Sequence, residues 1–242
     1  MVAEGALTFV VRVWLPDRPG ALAAVATRIG AVRGDVVGID ILERGGGQAI
    51  DELVVELPDA GLVELLAHEI AQVDGVAVEE IRPVAHAAYD PRLDALETAG
   101  LLVGATEYDE LVKLLCERGL RAVGGDWAVV VDVDDGTVAA GVGQAPPDAW
   151  VAAFIAGSRS SDSSDSSNVG DDSPALFAGP DDVLWADMPA SGLALVMGRS
   201  PAPFRARERL QAVALAGIAD VRCGELSPRH SGTEVTTGPP AA

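Results

Sequence analysis

A chain of 242 residues, nearly half of them apolar and only 4% aromatic, can bury one large core or two small ones. Its formal charge of −20, with Lys113 as the single lysine, repels phosphate backbones and anionic bilayers, so nucleic-acid and membrane-surface partners are excluded. Cys116 and Cys223 lie far apart with no metal-ligand spacing or disulfide framework, and no leader or long apolar run stands out, so the expectation is a cytoplasmic protein without metal or cofactor.

From Leu7 to Leu15 the residues Leu7, Phe9, Val11, Val13 and Leu15 alternate with a second set, the period of two that builds a strand. The second set includes Val10 and Trp14, so that face requires a cover, either a partner subunit or another domain. Pro19 fits a first helical position, and Leu22, Val25, Ala26 and Ile29 recur at helical spacing up to a stop at Gly34. Val36 to Glu43 and Ala49 to Leu57 flank Gly45, Gly46 and Gly47 and read as a hairpin with a flexible tip. Asp59 can cap a second helix that ends at Gly75, and Val76 to Ile81 makes a last strand. The order βαββαβ predicts one ferredoxin-like antiparallel sheet with both helices on one face, covering residues 6–83.

Residues 84–105 read as a connecting segment, with Pro91, Leu93, Leu96, Leu101 and Leu102 suggesting a helix. A second α/β domain is expected over 106–222. Thr106 with Asp109 forms a capping box for a helix that stops at Gly119, and the strands Trp127 to Val133 and Thr137 to Val142 follow, joined through Asp134, Asp135 and Gly136. A helix covers Asp148 to Ile155. Gly157 to Pro174 is almost wholly Ser, Asp, Asn and Gly, too polar to offset its ordering entropy, and predicts a disordered loop. Strands at Val183 to Met188 and Gly192 to Met197 and a helix from Pro203 to Ala219 complete the domain, and 223–242 reads as a disordered tail. The whole predicts an α+β protein of two unlike domains.

The turn Leu15-Pro16-Asp17-Arg18-Pro19-Gly20-Ala21-Leu22 concentrates the chemistry. Gly20 permits close approach to the backbone, and the open N–H groups of a helix N-terminus form an anion site that suits a carboxylate. Asp17 can cap the helix or accept hydrogen bonds from a ligand ammonium, and these uses compete. The strand, the LPDRPGAL turn, the helix and a hairpin carrying Asp35, Val36, Gly38 and Ile39 resemble the ACT domain over Leu7 to Pro83. That resemblance implies a regulatory module that binds an amino acid or similar small ligand between two paired copies. It points to Asp17, Arg18, Gly20, Ala21 and Leu22 in the turn, with Asp17 toward the ligand amine, and to Gly38, Ile39 and Asp40 as the facing strand of a homodimer partner. More weakly, the order of elements after Thr106, with Pro203-Phe204-Arg205 opening the last helix, resembles a GAF-like domain, from which a packing or dimerisation role follows.

Other groups carry less. Asp132, Asp134, Asp135 and Gly136 lack the glycine offset and the distal Glu of a calcium loop, and Gly45 to Gly47 lacks the Lys-Ser or Lys-Thr of a phosphate loop. His68, His86 and His230 have no paired ligand or general-base spacing, and Cys116 has no His beside it. The expectation is therefore a non-catalytic allosteric protein, with a scaffold or a regulatory subunit of an amino-acid metabolic enzyme as the alternative.

Overall fold

A computed structural model describes residues 7–84, 91–162, 180–200 and 202–226. The elements run β1 (Leu7–Pro16), α1 (Ala21–Ala31), β2 (Asp35–Gly45), β3 (Gln48–Leu57), a 3-10 turn (Ala60–Leu62), α2 (Val63–Ala71), β4 (Ala77–Val84) and α3 (Pro91–Gly104). Then come α4 (Tyr108–Val123), β5 (Trp127–Asp132), β6 (Val138–Gly143), α5 (Asp148–Asp162), β7 (Val183–Met188), β8 (Leu193–Gly198) and α6 (Ala206–Leu226). Two compact units result, one drawn from residues up to Glu97 with Phe204–Gln211, the other from Thr98–Pro203 and the chain from Ala212. Each holds a four-stranded antiparallel sheet, ordered β2-β3-β1-β4 in the first and β6-β5-β8-β7 in the second. The protein is α+β, and its first unit has the ferredoxin-like order expected.

In the first unit β1 lies between β3 and β4, so both of its edges are paired, and its burial pattern shows that both of its faces are covered. Phe9, Val11, Val13 and Leu15 join Leu53, Val55 and Leu57 of β3 and bury against Val25 and Ile29 of α1 and Leu66 and Ile70 of α2. Full burial of each such side chain contributes about 1.5–3 kcal/mol. The hairpin between β2 and β3 closes through Gly46 and Gly47 alone, with φ of 58° and 78°, the paired positive values of a tight turn that matches strand twist.

The opposite face of β1 is met by Phe204–Gln211. Arg12 is 2% exposed there, and its Nη2 donates to Glu52 Oε2 and to Glu208 Oε1, each at 2.9 Å. Burial works against this charge, yet Glu208 and Glu52 outweigh it and hold the guanidinium above its ordinary pKa. Arg205 Nη2 donates to Glu79 at 2.7 Å, and its guanidinium lies 5.0 Å over the Trp14 ring, whose Nε1 also donates to Glu79. The cover expected from a partner or a second domain is thus a short segment from late in the chain, which the continuous boundary 106–222 had assigned to the second domain.

Several boundaries differ from expectation for physical reasons. Pro19 is not the first helical residue, because Gly20 at φ 89° is the N-cap and the helix opens at Ala21. At the other end Arg33 takes the left-handed position (φ 62°), while Gly34 is required by space, since a Cβ there would stand 2.8 Å from Ile29 Cγ2. Asp59 caps the 3-10 turn by accepting from Gly61 N–H at 2.8 Å, and α2 follows. Thr106 is not a cap: Glu107 occupies that position, and Glu110 reaches back to the Thr106 N–H. Helix α4 runs through buried Gly119, where a Cβ would lie 3.4 Å from Met197 Sδ, and stops at left-handed Gly124.

The disordered loop does not begin at Gly157. Val151, Ile155 and Ser158 are buried at helical spacing and carry α5 to Asp162; the remainder of that loop, from 163, lies outside the described residues. The tail does not begin at 223 either, since Cys223 is buried and Arg222 donates to the Ala105 carbonyl, which anchors α6 to Leu226. His86, His230 and residues 227–242 lie outside the described residues. In the second unit Val129, Val131, Val183, Trp185, Ala194 and Val196 pack with Val151 and Ile155 of α5. Asp220 of α6 clamps the β7–β8 turn by accepting from the N–H groups of Ala190 and Ser191 and from Ser191 Oγ.

Candidate functional site

The turn after β1 is held by backbone bonds, Asp17 N–H to the Gly47 carbonyl at 3.0 Å and Arg18 N–H to the Pro16 carbonyl at 2.8 Å. Gly20 then swings the chain into α1 with no side-chain cap. The cap use of Asp17 is therefore not taken. The first helical bond is Ala24 N–H to the Gly20 carbonyl, and the amides of Leu22 and Ala23 have no partner. Open donors at a helix start carry partial positive charge and suit an anion.

Beside these amides lies a cavity of about 350 Å³, bounded by the turn from Leu15 to Gly20 with Leu22, by Ile41 and Arg44 of β2, and by Ala49 and Asp51 of β3. The volume is at the lower end of small-molecule sites. Leu15, Ala49 and Asp51 are buried and form its floor, whereas Asp17, Arg18, Gly20 and Arg44 are exposed at its rim. Asp51 sits in register between Val13 of β1 and Ile41 of β2, on the helix side of the sheet. It is 4% exposed, and its Oδ1 has no hydrogen-bond partner. Burial raises its pKa, Arg44 pulls it down, and Asp17 adds to the rise.

The structure brings Asp17, Arg18, Gly20 and Leu22 to one cavity, while Ala21 is buried in the core beneath it. Gly38, Ile39 and Asp40 do not line this cavity in the same chain. Gly38 packs against Val54, where a Cβ would stand 3.1 Å from Cγ2, Ile39 is exposed at the edge of the sheet, and Asp40 Oδ1 stands 2.9 Å from Arg207 Nη2. Asp51, Ile41, Arg44 and Ala49 were missed. Asp51 was nevertheless legible, because Ala49, Leu53, Val55 and Leu57 share the core-facing alternation of β3 and Asp51 is the one charged residue in that register.

Other candidates hold little chemistry. Asp132 accepts from the Asp134 N–H and Asp135 from the Thr137 N–H and Oγ1, a hairpin turn in which those bonds lower the pKa of Asp135. No group of three or more His, Cys, Asp or Glu residues able to hold a metal ion occurs among the described residues. Burial pushes the Cys116 thiol up to about 12 and the Cys223 thiol up to about 11, far from a reactive thiolate. Among the described residues no helix is long and apolar enough to cross a membrane.

No family model and no curated protein matches the sequence. Its structural neighbours include ACT domains. The ACT domain from the GTP pyrophosphokinase of Chlorobium tepidum matches 33% of this chain and 99% of its own at 14% identity and a TM-score of 0.27. The C-terminal domain of the MgtC protein from Mycobacterium tuberculosis matches 37% of this chain and 100% of its own, at 18% identity and a TM-score of 0.29. A formyltetrahydrofolate deformylase from Pseudomonas putida matches 37% of this chain over 36% of its own, at 20% identity and a TM-score of 0.27.

Proposed function

We propose that this is a non-catalytic, allosteric regulatory protein whose first unit binds an amino acid or similar small ligand. The observation that carries this reading is the cavity at the β1–α1 turn, where the uncapped start of α1 at Leu22 shares the lining with buried Asp51 and exposed Asp17. A zwitterion needs both kinds of group. Its carboxylate takes the helix amides and its ammonium the Asp17 side of the rim.

The reading extends to a cytoplasmic homodimer in which the β2 edges of two copies meet and complete each other's sites. Val37, Ile39 and Ile41 on that edge strand are 50%, 44% and 38% exposed, an apolar row beside unpaired backbone groups. In such a pair Gly38 and Ile39 of one copy face the other's turn, while Asp40 joins them only by leaving Arg207. The second unit serves packing or dimerisation as a GAF-like module. The same apolar edge favours the alternative of a ligand-free scaffold or a regulatory subunit docked on a metabolic enzyme.

A thermal-shift screen over the twenty amino acids tests the proposal. Ligand at about 100 times its Kd adds roughly 2.7 kcal/mol to the folded state, a rise of several degrees. Asp17→Ala abolishes that rise with little effect on the unliganded protein, since Asp17 caps nothing. No shift with any amino acid eliminates the ligand reading, and a monomer by light scattering eliminates the shared site.

A further inference from the structure

We infer that Asp51 makes the cavity selective for a ligand carrying a cationic group at the end of an aliphatic stem, as in a basic amino acid, with that cation paired to the Asp51 carboxylate that lines the cavity. The inference rests on the ligand-binding reading above and names the class of ligand within it.

The argument starts from the order of groups between rim and floor. An α-amino acid has one carboxylate and one ammonium near each other, and the turn supplies a receptor for each in the uncapped start of α1 at Leu22 and in Asp17. The apolar part of the lining is aliphatic, from Leu15 and Ala49 beside Asp51 and from Leu22 and half-exposed Ile41. A methylene stem can pack on it. A second carboxylate then follows at the floor, 4% exposed and with an oxygen that donates to nothing and accepts from nothing.

A neutral side chain reaching that depth would complete the desolvation of Asp51 and leave it unpaired, whereas a terminal ammonium gives it a charge-assisted partner. The charged groups that share the cavity with Asp51 are Arg44 from β2 and Asp17 and Arg18 from the turn, two cations and one further anion. No hydrogen bond from Arg44 or Arg18 reaches the buried oxygen, so neither replaces a ligand cation. Because burial raises the Asp51 pKa, a cationic ligand binds the deprotonated form and releases the proton that Asp51 holds at lower pH. The preference for the cation therefore weakens as pH falls.

Titration calorimetry of the full chain with L-lysine and L-norleucine, which differ in the terminal ammonium, decides the matter. At pH 8 the wild type binds lysine about ten- to a hundred-fold tighter, the range of one charge-assisted hydrogen bond. At pH 5 the ratio narrows. Asp51→Asn, which keeps the volume and removes the charge, retains norleucine binding and loses the preference; a cooperative melt at or above the wild-type temperature shows that the variant is folded. Equal affinity for the two ligands in the wild type, or an unchanged preference in Asp51→Asn, overturns the inference and leaves the amino-acid reading intact. Absence of binding by all twenty amino acids overturns both.

Discussion

Replacing Arg12 by methionine is the most demanding test of how the first sheet is covered. Arg12 is 2% exposed and its Nη2 lies 2.9 Å from one oxygen of Glu52 and 2.9 Å from one of Glu208. Removing the guanidinium leaves two carboxylates with side-chain exposures of 11% and 7% and no cation between them. Breaking a buried ion pair from one side costs about 3–5 kcal/mol. Partners that remain, Arg82 at 3.6 Å from Glu52 and the Arg205 N–H at 2.7 Å from Glu208, place the loss near 3 kcal/mol. Because the chain holds two compact units, the readout is local, hydrogen exchange of the β1 and β3 peptides under increasing urea. Adding Glu52→Gln and Glu208→Gln to Arg12→Met removes the orphaned charges and recovers most of the loss. A loss under about 1 kcal/mol for Arg12→Met, the range of an exposed pair, would refute the burial of this network.

Further expectations concern single positions. Asp51 has a folded pKa raised above its ordinary value, so its ionised form lowers stability at neutral pH and the penalty is relieved as pH falls through the raised value. Asp51→Asn then gains stability relative to the wild type at pH 8, and the difference shrinks toward pH 4 in thermal melts. Equal melting temperatures at both pH values would remove the unpartnered carboxylate from the account. Gly20→Ala meets no atom within 4 Å but must hold φ near 89°, so it loses about 1–2 kcal/mol while Gly20→Asn loses less; parity of both with glycine in urea titration contradicts the left-handed cap. Cys116 and Cys223, 0% and 1% exposed, do not react with a thiol reagent at pH 8 until denaturant is added, and rapid native labelling of either contradicts their burial.

The sequence carried the first unit well because its signals are local. Alternation in β1, the glycine pair at the hairpin tip and the spacing of Val25 and Ile29 each specify an element without reference to distant residues. The turn was legible for the same reason, although the positive φ of Gly20 moved the helix start past Pro19. What escaped depends on long-range pairing. Nothing near Arg12 announces Glu208, which is separated from it by 196 positions, and the charged start of α6 looks like a solvated helix face. Asp51 was visible as a break in the core register of β3, but its meaning needed the cavity that Ile41 and the turn enclose. Gly119 shows the opposite failure, a stop signal overridden because the buried face of Leu115, Cys116 and Val123 carries the helix on to the left-handed Gly124.

The pairing of Arg12 with Glu208 also sets an order of events during synthesis. The sheet of the first unit can assemble once β4 has emerged, but one carboxylate that neutralises its buried guanidinium arrives 196 residues after Arg12 itself. At the usual pace of translation that interval is about 10–40 s, very long beside the folding of a small domain. From the completion of β4 at Val84 to the arrival of Glu208, about 6–25 s of it, the nascent sheet presents Val10, Arg12 and Trp14 uncovered, a surface for chaperones to shield until the last helix is made.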